Sequence, residues 1–181
     1  MGKLFVVSGP AGTGKGTVVK ELIGRGVAEL SISATTRAPR GREKNGIEYH
    51  FLKREEFEEL ISEDGFLEYA EYCGNYYGSP KKQIDEWIAD GKNVILEIEV
   101  EGYRKVKAKR PDCIGIFIMP PSLGELEKRL RGRNTETEEQ IKKRLKRAEE
   151  EIPLSKLYDH VVVNDEVKKC ADEIEKIFDN I

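Results

Sequence analysis

The chain contains four apolar runs, at residues 4–7, 94–98, 114–119 and 161–163. None of them shows the regular polar alternation of a half-exposed strand. Short, nearly continuous apolar runs are typical of strands that are buried on both faces of a parallel sheet. We therefore predict that these four segments form the core strands of one parallel sheet.

Helical patterns lie between and after these runs. Apolar residues recur every three or four positions over residues 15–23, 57–61 and 167–178. Because strand and helix alternate, the pattern predicts an α/β fold whose central parallel sheet is flanked by helices. Ligands of such folds bind outside the carboxyl ends of the strands.

Side chains that can cap helices mark three further helix starts. Ser79 precedes Pro80, which suits a cap residue followed by proline at the first helical position. Ser122 and Thr135 are each followed three residues later by glutamate, the spacing of a capping box. We predict helices that begin directly after these three hydroxyl residues.

The region from about residue 33 to residue 78 breaks the alternation. It holds short alternating pieces, such as 49–51 and 66–69, that are rich in aromatic and charged residues. We predict a small strand-rich lobe inserted into the parallel core. At 181 residues the chain fits one domain of ordinary size.

A glycine-rich loop lies between the first apolar run and the first helical pattern. Its residues are Gly9, Pro10, Ala11, Gly12, Thr13, Gly14, Lys15, Gly16 and Thr17. Glycines let successive backbone N–H groups converge on phosphate oxygens, and the next helix and the Lys15 ammonium add positive charge. The pattern predicts a phosphate-binding loop, the alternative being a simple glycine-rich turn. The hydroxyl of the common motif comes one residue late, at Thr17.

A second phosphate site is indicated by three arginines within six positions, Arg37, Arg40 and Arg42. Guanidinium groups can hold a phosphate through two parallel hydrogen bonds. Tyr76 and Tyr77, set between glycines, can contact a phosphate or stack on a base. The alternatives are a solvated basic loop and ordinary packing of the tyrosines.

Two carboxylates, Glu97 and Glu99, close the second apolar run. At the carboxyl end of a strand, such groups can hold a magnesium–water shell or accept hydrogen bonds from a base or ribose. A solvated strand end is the alternative.

A basic stretch further on has a helix–break–helix pattern around Gly132. Its arginines are Arg129, Arg131, Arg133, Arg144 and Arg147. A mobile lid would bring such arginines to a transferring phosphoryl group, where positive charge stabilises the transition state. A solvated helix face is the alternative.

Composition excludes several classes of protein. The net charge of -3 argues against a general nucleic-acid binder. No apolar segment approaches the length of a membrane span and no signal segment begins the chain, so we expect a cytoplasmic protein. Cys73, Cys113 and Cys170 form no paired motif, and with only two histidines a zinc site is not expected.

Taken together, six motifs resemble those of the guanylate kinase family and follow that family's order. They are the loop at 9–17, Thr35-Thr36-Arg37 with Pro39-Arg40, Asn45-Gly46 before Tyr49, residues 74–79, Arg133 with Thr135-Glu136-Thr137, and Val163-Asn164-Asp165. The resemblance implies phosphoryl transfer from ATP to GMP or dGMP with Mg²⁺, in purine nucleotide metabolism. It also implies a single domain with a P-loop kinase core at 1–32, 80–125 and 150–181, a GMP-binding lobe at about 33–79 and a lid at about 126–149.

The resemblance also assigns roles to residues. Catalytic roles fall to Lys15, Arg37, Arg133 and Arg144. ATP binding falls to the loop from Gly9 to Thr17 with Arg129, Arg133 and Asn164, and Thr17 is the candidate on the magnesium side. GMP binding falls to Ser33, Arg37, Arg40, Glu43, Tyr49, Glu68, Tyr77, Ser79, Glu97 and Glu99.

The choice of base has its own chemical argument. Guanine presents N1–H and the N2 amino group on one edge, and one carboxylate can accept both, whereas adenine presents a bare acceptor at N1. A site with a buried unpaired group can reject the wrong substrate by roughly 10⁴-fold. We therefore predict that Glu68 determines specificity.

Two departures from the family pattern and two alternatives remain at this point. Ala11 stands where serine is common, and Glu97 and Glu99 stand where aspartates are frequent. The chain could instead be a non-catalytic binding module of this fold, or a kinase that acts on another monophosphate such as AMP or dTMP. We expect no nucleic-acid or membrane partner, and a monomer or homodimer.

Overall fold

The computed structural model describes residues 2–132 and 137–181, in which the chain forms nine strands and seven α-helices. The strands are β1 Leu4–Ser8, β2 Glu29–Leu30, β3 Ala34–Thr35, β4 His50–Phe51, β5 Phe66–Tyr72, β6 Asn75–Pro80, β7 Val94–Glu97, β8 Ile114–Met119 and β9 His160–Val163. The helices are α1 Lys15–Gly24, α2 Arg54–Ser62, α3 Lys81–Ala89, α4 Val100–Lys109, α5 Leu123–Gly132, α6 Glu138–Glu151 and α7 Val167–Asp179, with a 3-10 helix at Ile152–Leu157.

The larger sheet has five strands in the order β2-β7-β1-β8-β9. All four pairings are parallel, so the predicted α/β fold with a central parallel sheet is confirmed. All five residues of β1 are buried, because β7 and β8 flank it and helices cover both faces. The two-residue strand β2 is too short to leave a periodic signal and was not predicted.

The last strand differs from its prediction. Val162 is buried, but the neighbouring Val161 and Val163 are 45% and 49% exposed. The expectation of burial on both faces is therefore wrong for β9. The reason is its position at the edge of the sheet, where Val162 packs in a cluster with α7 residues and the opposite face is only partly covered.

The core has one apolar layer on each face of the larger sheet. One layer combines strand residues with α1 and α7, through Val18, Leu22 and Ile174. The other combines strand residues with α3 and α4, through Ile84 and Tyr103. This two-sided burial makes the parallel sheet a rigid base for the loops at the carboxyl ends of its strands.

A second sheet has the order β4-β3-β6-β5. The pair β3–β4 is parallel, whereas β6 is antiparallel to both β3 and β5. Phe57 of α2 stacks on Phe66 and Tyr76, with ring centroids 4.2 and 5.2 Å apart, so the sheet has a small core of its own. Helix α4 packs against β5 and joins the sheet to the parallel core.

The three predicted helix starts have different outcomes. The Ser122 hydroxyl accepts a hydrogen bond from the Glu125 N–H at 3.1 Å, as predicted. Ser79 does not cap α3: it is buried in β6, its hydroxyl donates to Glu68, and Pro80 occupies the cap position. Thr135 lies outside the described residues; the capping box of α6 is formed by Thr137 and Gln140.

Within the described parts of the chain, no helix combines the length and the apolar composition that crossing a bilayer would require.

The packing beneath α1 gives a test of the core. Leu22 is completely buried, so Leu22→Ala is expected to lower the free energy of unfolding by about 2–5 kcal/mol. The matched control is Lys20→Ala, at an exposed position of the same helix, which should change stability by less than about 0.5 kcal/mol. Equal losses in urea unfolding would contradict this packing.

Candidate active site

The glycine-rich loop connects the buried strand β1 to helix α1. Gly9, Gly12 and Gly14 have φ of 146, 91 and 86°, which glycine adopts without strain. Gly14 is the residue before the first turn of α1, so the unpaired N–H groups of that turn face the loop. The predicted strand–loop–helix arrangement of an anion-binding site is present.

Lys15 folds back across this loop. Its ammonium donates to the carbonyl oxygens of Gly9 and Pro10, at 2.6 and 3.2 Å. Burial lowers the pKa of Lys15, and the nearby carboxylates Glu97 and Glu99 oppose that effect. The site therefore contains a partly desolvated positive charge, which a phosphate oxygen can stabilise.

Asn164 fastens the loop from the end of β9. Its Nδ2 donates to the Thr13 carbonyl at 2.7 Å, and its own backbone carbonyl accepts from Arg129 at 2.8 Å. Arg129 also donates to the carbonyl of Asp165. Loop, turn and α5 are thus joined by a chain of hydrogen bonds. The Asn164 Oδ1 atom is buried and has no hydrogen-bond partner among the described residues.

Acidic side chains lie on the other side of the loop. Glu97 ends β7, and a Cβ built on Gly16 would lie 3.7 Å from both of its carboxylate oxygens. Glu99 is the cap residue of α4. Thr17 is exposed on the first turn of α1. In the described ranges, no group of three or more His, Cys, Asp or Glu side chains has the arrangement of a metal site.

The segment after β3 places Arg37 in an ion pair beside the Tyr49 ring. Arg37 pairs with both carboxylate oxygens of Glu43, at 2.9 and 3.1 Å. This pairing raises the pKa of Arg37 and lowers that of Glu43. The guanidinium carbon lies 5.4 Å from the centre of the Tyr49 ring, and Tyr49 in turn meets Tyr77 edge to face. Arg40 donates its backbone N–H to Glu43, while the residue itself is exposed.

Glu68 and Ser79 form the third part of the site. The Ser79 hydroxyl donates to Glu68 Oε1 at 2.8 Å. Burial raises the pKa of Glu68, and the Ser79 hydrogen bond opposes that shift. The other carboxylate oxygen lies 3.5 Å from a Cβ built on Gly102, at the start of α4. This half-buried carboxylate of β5 is therefore placed between Ser79 of the neighbouring strand β6 and the start of helix α4.

One cleft joins the two sheets. It has a volume of about 290 Å³ and is lined by Leu30, Ser31, Ile32, Ser33, Ile47, Glu48, Tyr49 and Glu97. The cleft places the half-buried Ser33 on the same opening as Tyr49, which directly precedes β4 of the smaller sheet, and Glu97 of the larger sheet.

The arginines predicted to belong to the lid have different surroundings, and not all of them contact residues of the candidate site. Arg131 pairs with Glu127 and Glu138 on the outside of α5 and α6. Arg144 lies on α6 and is half-buried, and Arg133 lies outside the described residues. Arg147, which the sequence pattern included without a role, reaches Glu99 at 2.6 Å. The sequence carries no local signal for this pairing, because the two residues are 48 positions apart.

Comparisons with known proteins agree on one family. The family model that describes guanylate kinases matches residues 1–181. A guanylate kinase of Prochlorococcus marinus (strain NATL2A) is 49% identical over 176 residues, covering 97% of this chain and 95% of that protein. One of Halalkalibacterium halodurans is 52% identical over 177 residues, covering 97% and 87%. The crystal structure of guanylate kinase from Anaplasma phagocytophilum superposes with a TM-score of 0.76 at 37% identity, covering 99% of this chain and 85% of that one.

The loop geometry can be tested at Gly14. A Cβ there would lie 2.7 Å from Asn164 Nδ2, so Gly14→Ala is expected to lower the free energy of unfolding by more than about 1 kcal/mol. The matched control is Gly26→Ala, because Gly26 has a similar φ of +72° but nothing within 4 Å of its Cβ position. Equal losses for the two variants in urea unfolding would contradict the close contact with Asn164.

Proposed function

The chain belongs to the guanylate kinase family, an enzyme family that phosphorylates GMP to GDP with ATP, and we propose how its residues divide that reaction. The resemblance predicted from the motifs is confirmed. The proposal concerns the residues: a donor half-site for ATP around the glycine-rich loop, and an acceptor half-site for GMP or dGMP on the smaller sheet.

The donor half-site is built on the loop from Gly9 to Thr17. Its N–H groups and the first turn of α1 receive the phosphates of ATP. Lys15 exchanges its two carbonyl partners for phosphate oxygens, which relieves the desolvation of its charge. Asn164 and Arg129 belong to the same half-site, since their hydrogen bonds hold the loop and its neighbouring turn. We also assign Arg133 to the donor half-site, and this assignment is based only on the resemblance to the family.

The acceptor half-site holds the GMP phosphate with Arg37, Arg40, Tyr49 and Tyr77. The Glu43 carboxylate keeps the Arg37 guanidinium oriented before GMP binds. Such preorganisation reduces the side-chain entropy that is lost on binding. We assign the reading of the base to Glu68 with Ser79 and Ser33, and we place Glu97 and Glu99 in the same half-site. Of these residues, Ser33 and Glu97 line the cleft.

The observation that carries the proposal is the half-buried Glu68 carboxylate with its Ser79 partner. A single carboxylate in a partly dry site can accept both N1–H and the N2 amino group of guanine. Adenine would place its N1 lone pair against the same negative charge and leave it unpaired. Guanine contacts do not involve the ribose 2′ position, so the same site suits dGMP.

The donor half-site offers one or two protein oxygen ligands for magnesium. Thr17 ends the loop and the Glu97 carboxylate lies beside Gly16, so both are candidate oxygen ligands, and the described residues offer no cage of three acidic ligands. Mg²⁺ in kinases is bound chiefly by phosphates and water with one or two protein oxygens, which agrees with this donor set. When bound with ATP, the ion neutralises negative charge on the phosphates.

Transfer needs alignment and positive charge more than covalent chemistry. The GMP phosphate oxygen attacks the γ-phosphorus of ATP in line while the bond from that phosphorus to the β,γ-bridging oxygen breaks, so GDP forms and ADP leaves without a covalent enzyme intermediate. We assign Lys15, Arg37, Arg133 and Arg144 to charge neutralisation in the transition state. Closure of the GMP lobe, about 33–79, and of the lid, about 126–149, over the core excludes water.

We place the enzyme in the cytoplasm as a monomer or homodimer. Its cysteines are free thiols in the structure, with Cys113 and Cys170 buried and Cys73 exposed. Unpaired thiols agree with a reducing compartment.

A coupled assay of ADP release tests the acceptor. GMP, dGMP, AMP, CMP, UMP and dTMP are offered separately with magnesium-ATP. We expect turnover with GMP and dGMP and a kcat/KM for the other four that is lower by roughly 10³-fold or more. Preference for a non-guanine nucleotide would refute the assignment of Glu68. Absence of turnover with all six would indicate a non-catalytic binding module.

The raised pKa of Glu68 gives a pH prediction. Only the ionised carboxylate accepts both guanine donors, so KM for GMP should rise as the pH falls toward the pKa of Glu68. Because burial raises this pKa, the rise begins at a higher pH than for an ordinary glutamate near ~4.3.

The matched control for this prediction is Glu68→Gln. The variant should raise KM for GMP by about tenfold or more, leave KM for ATP unchanged and lose the carboxylate's part of the pH dependence. The pH dependence of KM that comes from ionisation of the GMP phosphate itself should remain in both proteins. Identical pH profiles for the two would show that Glu68 does not read the base.

A further inference from the structure

Arg147 connects the lid helix α6 to the edge of the acceptor half-site. Its Nη2 donates to Glu99 Oε2 at 2.6 Å, and its Nε donates to Glu151 Oε1 at 2.8 Å. Glu151 is the last residue of α6, whereas Glu99 caps the start of α4. The guanidinium therefore bridges carboxylates from two separate elements of the fold.

The partner of Arg147 begins the helix that packs against Glu68. Glu99 caps α4, and a Cβ built on Gly102, near the start of that helix, would lie 3.5 Å from Glu68 Oε2. The charge of Glu99 contributes to raising the pKa of Glu68 and opposes the lowering of the pKa of Lys15. Glu99 is thus within electrostatic range of the proposed base reader and of the proposed phosphate-binding lysine. An uncompensated negative charge at this place would repel an anionic substrate.

Folding does not require the Arg147–Glu99 pair. Their side chains are 55% and 74% exposed, and exposed ion pairs contribute little to stability. Helix α6 is already attached to α5 through an apolar cluster. Its members are Leu126, Leu130, Ile141, Leu145 and Ala148. The pair is therefore more important for the position and charge of Glu99 than for the fold.

The geometry of the bridge supports an orienting role. A guanidinium is a planar fork, so the bond from Nε to Glu151 limits the rotation of the whole group. With that bond formed, Nη2 points at Glu99. A lysine at this position would carry the same positive charge but would lack the planar arrangement of N–H donors that contacts both carboxylates.

We propose that Arg147 is a positioning residue that holds and neutralises Glu99 at the acceptor half-site, so that helix α6 contributes to GMP binding. The inference rests on the proposed function, because that function assigns Glu99 to the GMP half-site. It adds a residue that acts through Glu99 and does not itself touch the substrate.

Steady-state kinetics of Arg147→Gln tests this role. We expect KM for GMP to rise about three- to fivefold, because a change of that size corresponds to the loss of one partly exposed ion pair. We expect kcat and KM for ATP to change by less than about 1.5-fold, since the proposed role of Arg147 concerns GMP binding. Arg147→Lys should recover part of the loss, because the charge is retained. The thermal unfolding midpoint should stay within about 2 °C of the unaltered protein.

The matched control is Lys143→Gln. Lys143 lies one turn earlier on α6 and pairs with Glu139 on the same helix, at 3.4 Å, with both side chains exposed. This change removes the same charge from the same helix without touching Glu99. An equal rise in KM for GMP in Lys143→Gln would overturn the proposal, since a general loss of positive charge would then suffice.

A double-mutant cycle with Glu99→Gln identifies the pathway. If Arg147 acts through Glu99, adding Arg147→Gln to Glu99→Gln should change KM for GMP by less than about 1.5-fold. The full three- to fivefold rise in that background would overturn the proposal, as would an equal rise in KM for ATP in Arg147→Gln alone.

The unaltered protein in the same assay separates this inference from the proposed function. Lack of GMP turnover there would refute both. Normal GMP turnover with an unchanged KM in Arg147→Gln would refute the positioning role alone.

Discussion

The site depends on the burial of β1 at the centre of the parallel sheet. All five of its residues are buried, and it pairs with β7 on one side and β8 on the other. The glycine-rich loop begins where this strand ends, so the buried strand fixes the position of the loop's first residue, Gly9. Glu97 at the end of β7 and Asn164 after β9 are brought to the same edge by the same parallel pairing.

Charge compensation is the second constraint on the site. Several cations proposed for phosphate binding have internal partners: Lys15 has two loop carbonyls, Arg37 has Glu43, and Arg129 has two carbonyls of the turn after β9. The chain has a net charge of -3 but concentrates positive side chains locally. Protein carbonyl and carboxylate groups accept hydrogen bonds from these side chains. We propose that phosphate oxygens take the place of the two carbonyl partners of Lys15, whereas the hydrogen bonds of Arg129 continue to hold the turn. This limits the rearrangement that binding requires.

Prediction from the sequence was most successful where the signal is local. The loop from Gly9 to Thr17 was predicted because strand, glycines and helix are consecutive, and the structure has that order. Ser79 was misassigned as a helix cap because its nearest sequence neighbour, Pro80, gives a strong local signal. Its actual partner, Glu68, comes from the neighbouring antiparallel strand. Val161 and Val163 were misjudged because an apolar run does not tell a central strand from an edge strand.

The sequence by itself determined the fold class, the glycine-rich loop between strand and helix, and the family, because hydrophobic period and motif spacing act over a few residues at a time. The tertiary structure alone decided which side chains meet. Asn164 holds Thr13 across 151 positions and Arg147 reaches Glu99 across 48, and no periodicity encodes such pairs. They follow from strand order and helix placement, since parallel strands carry residues that are distant in sequence to one edge of the sheet.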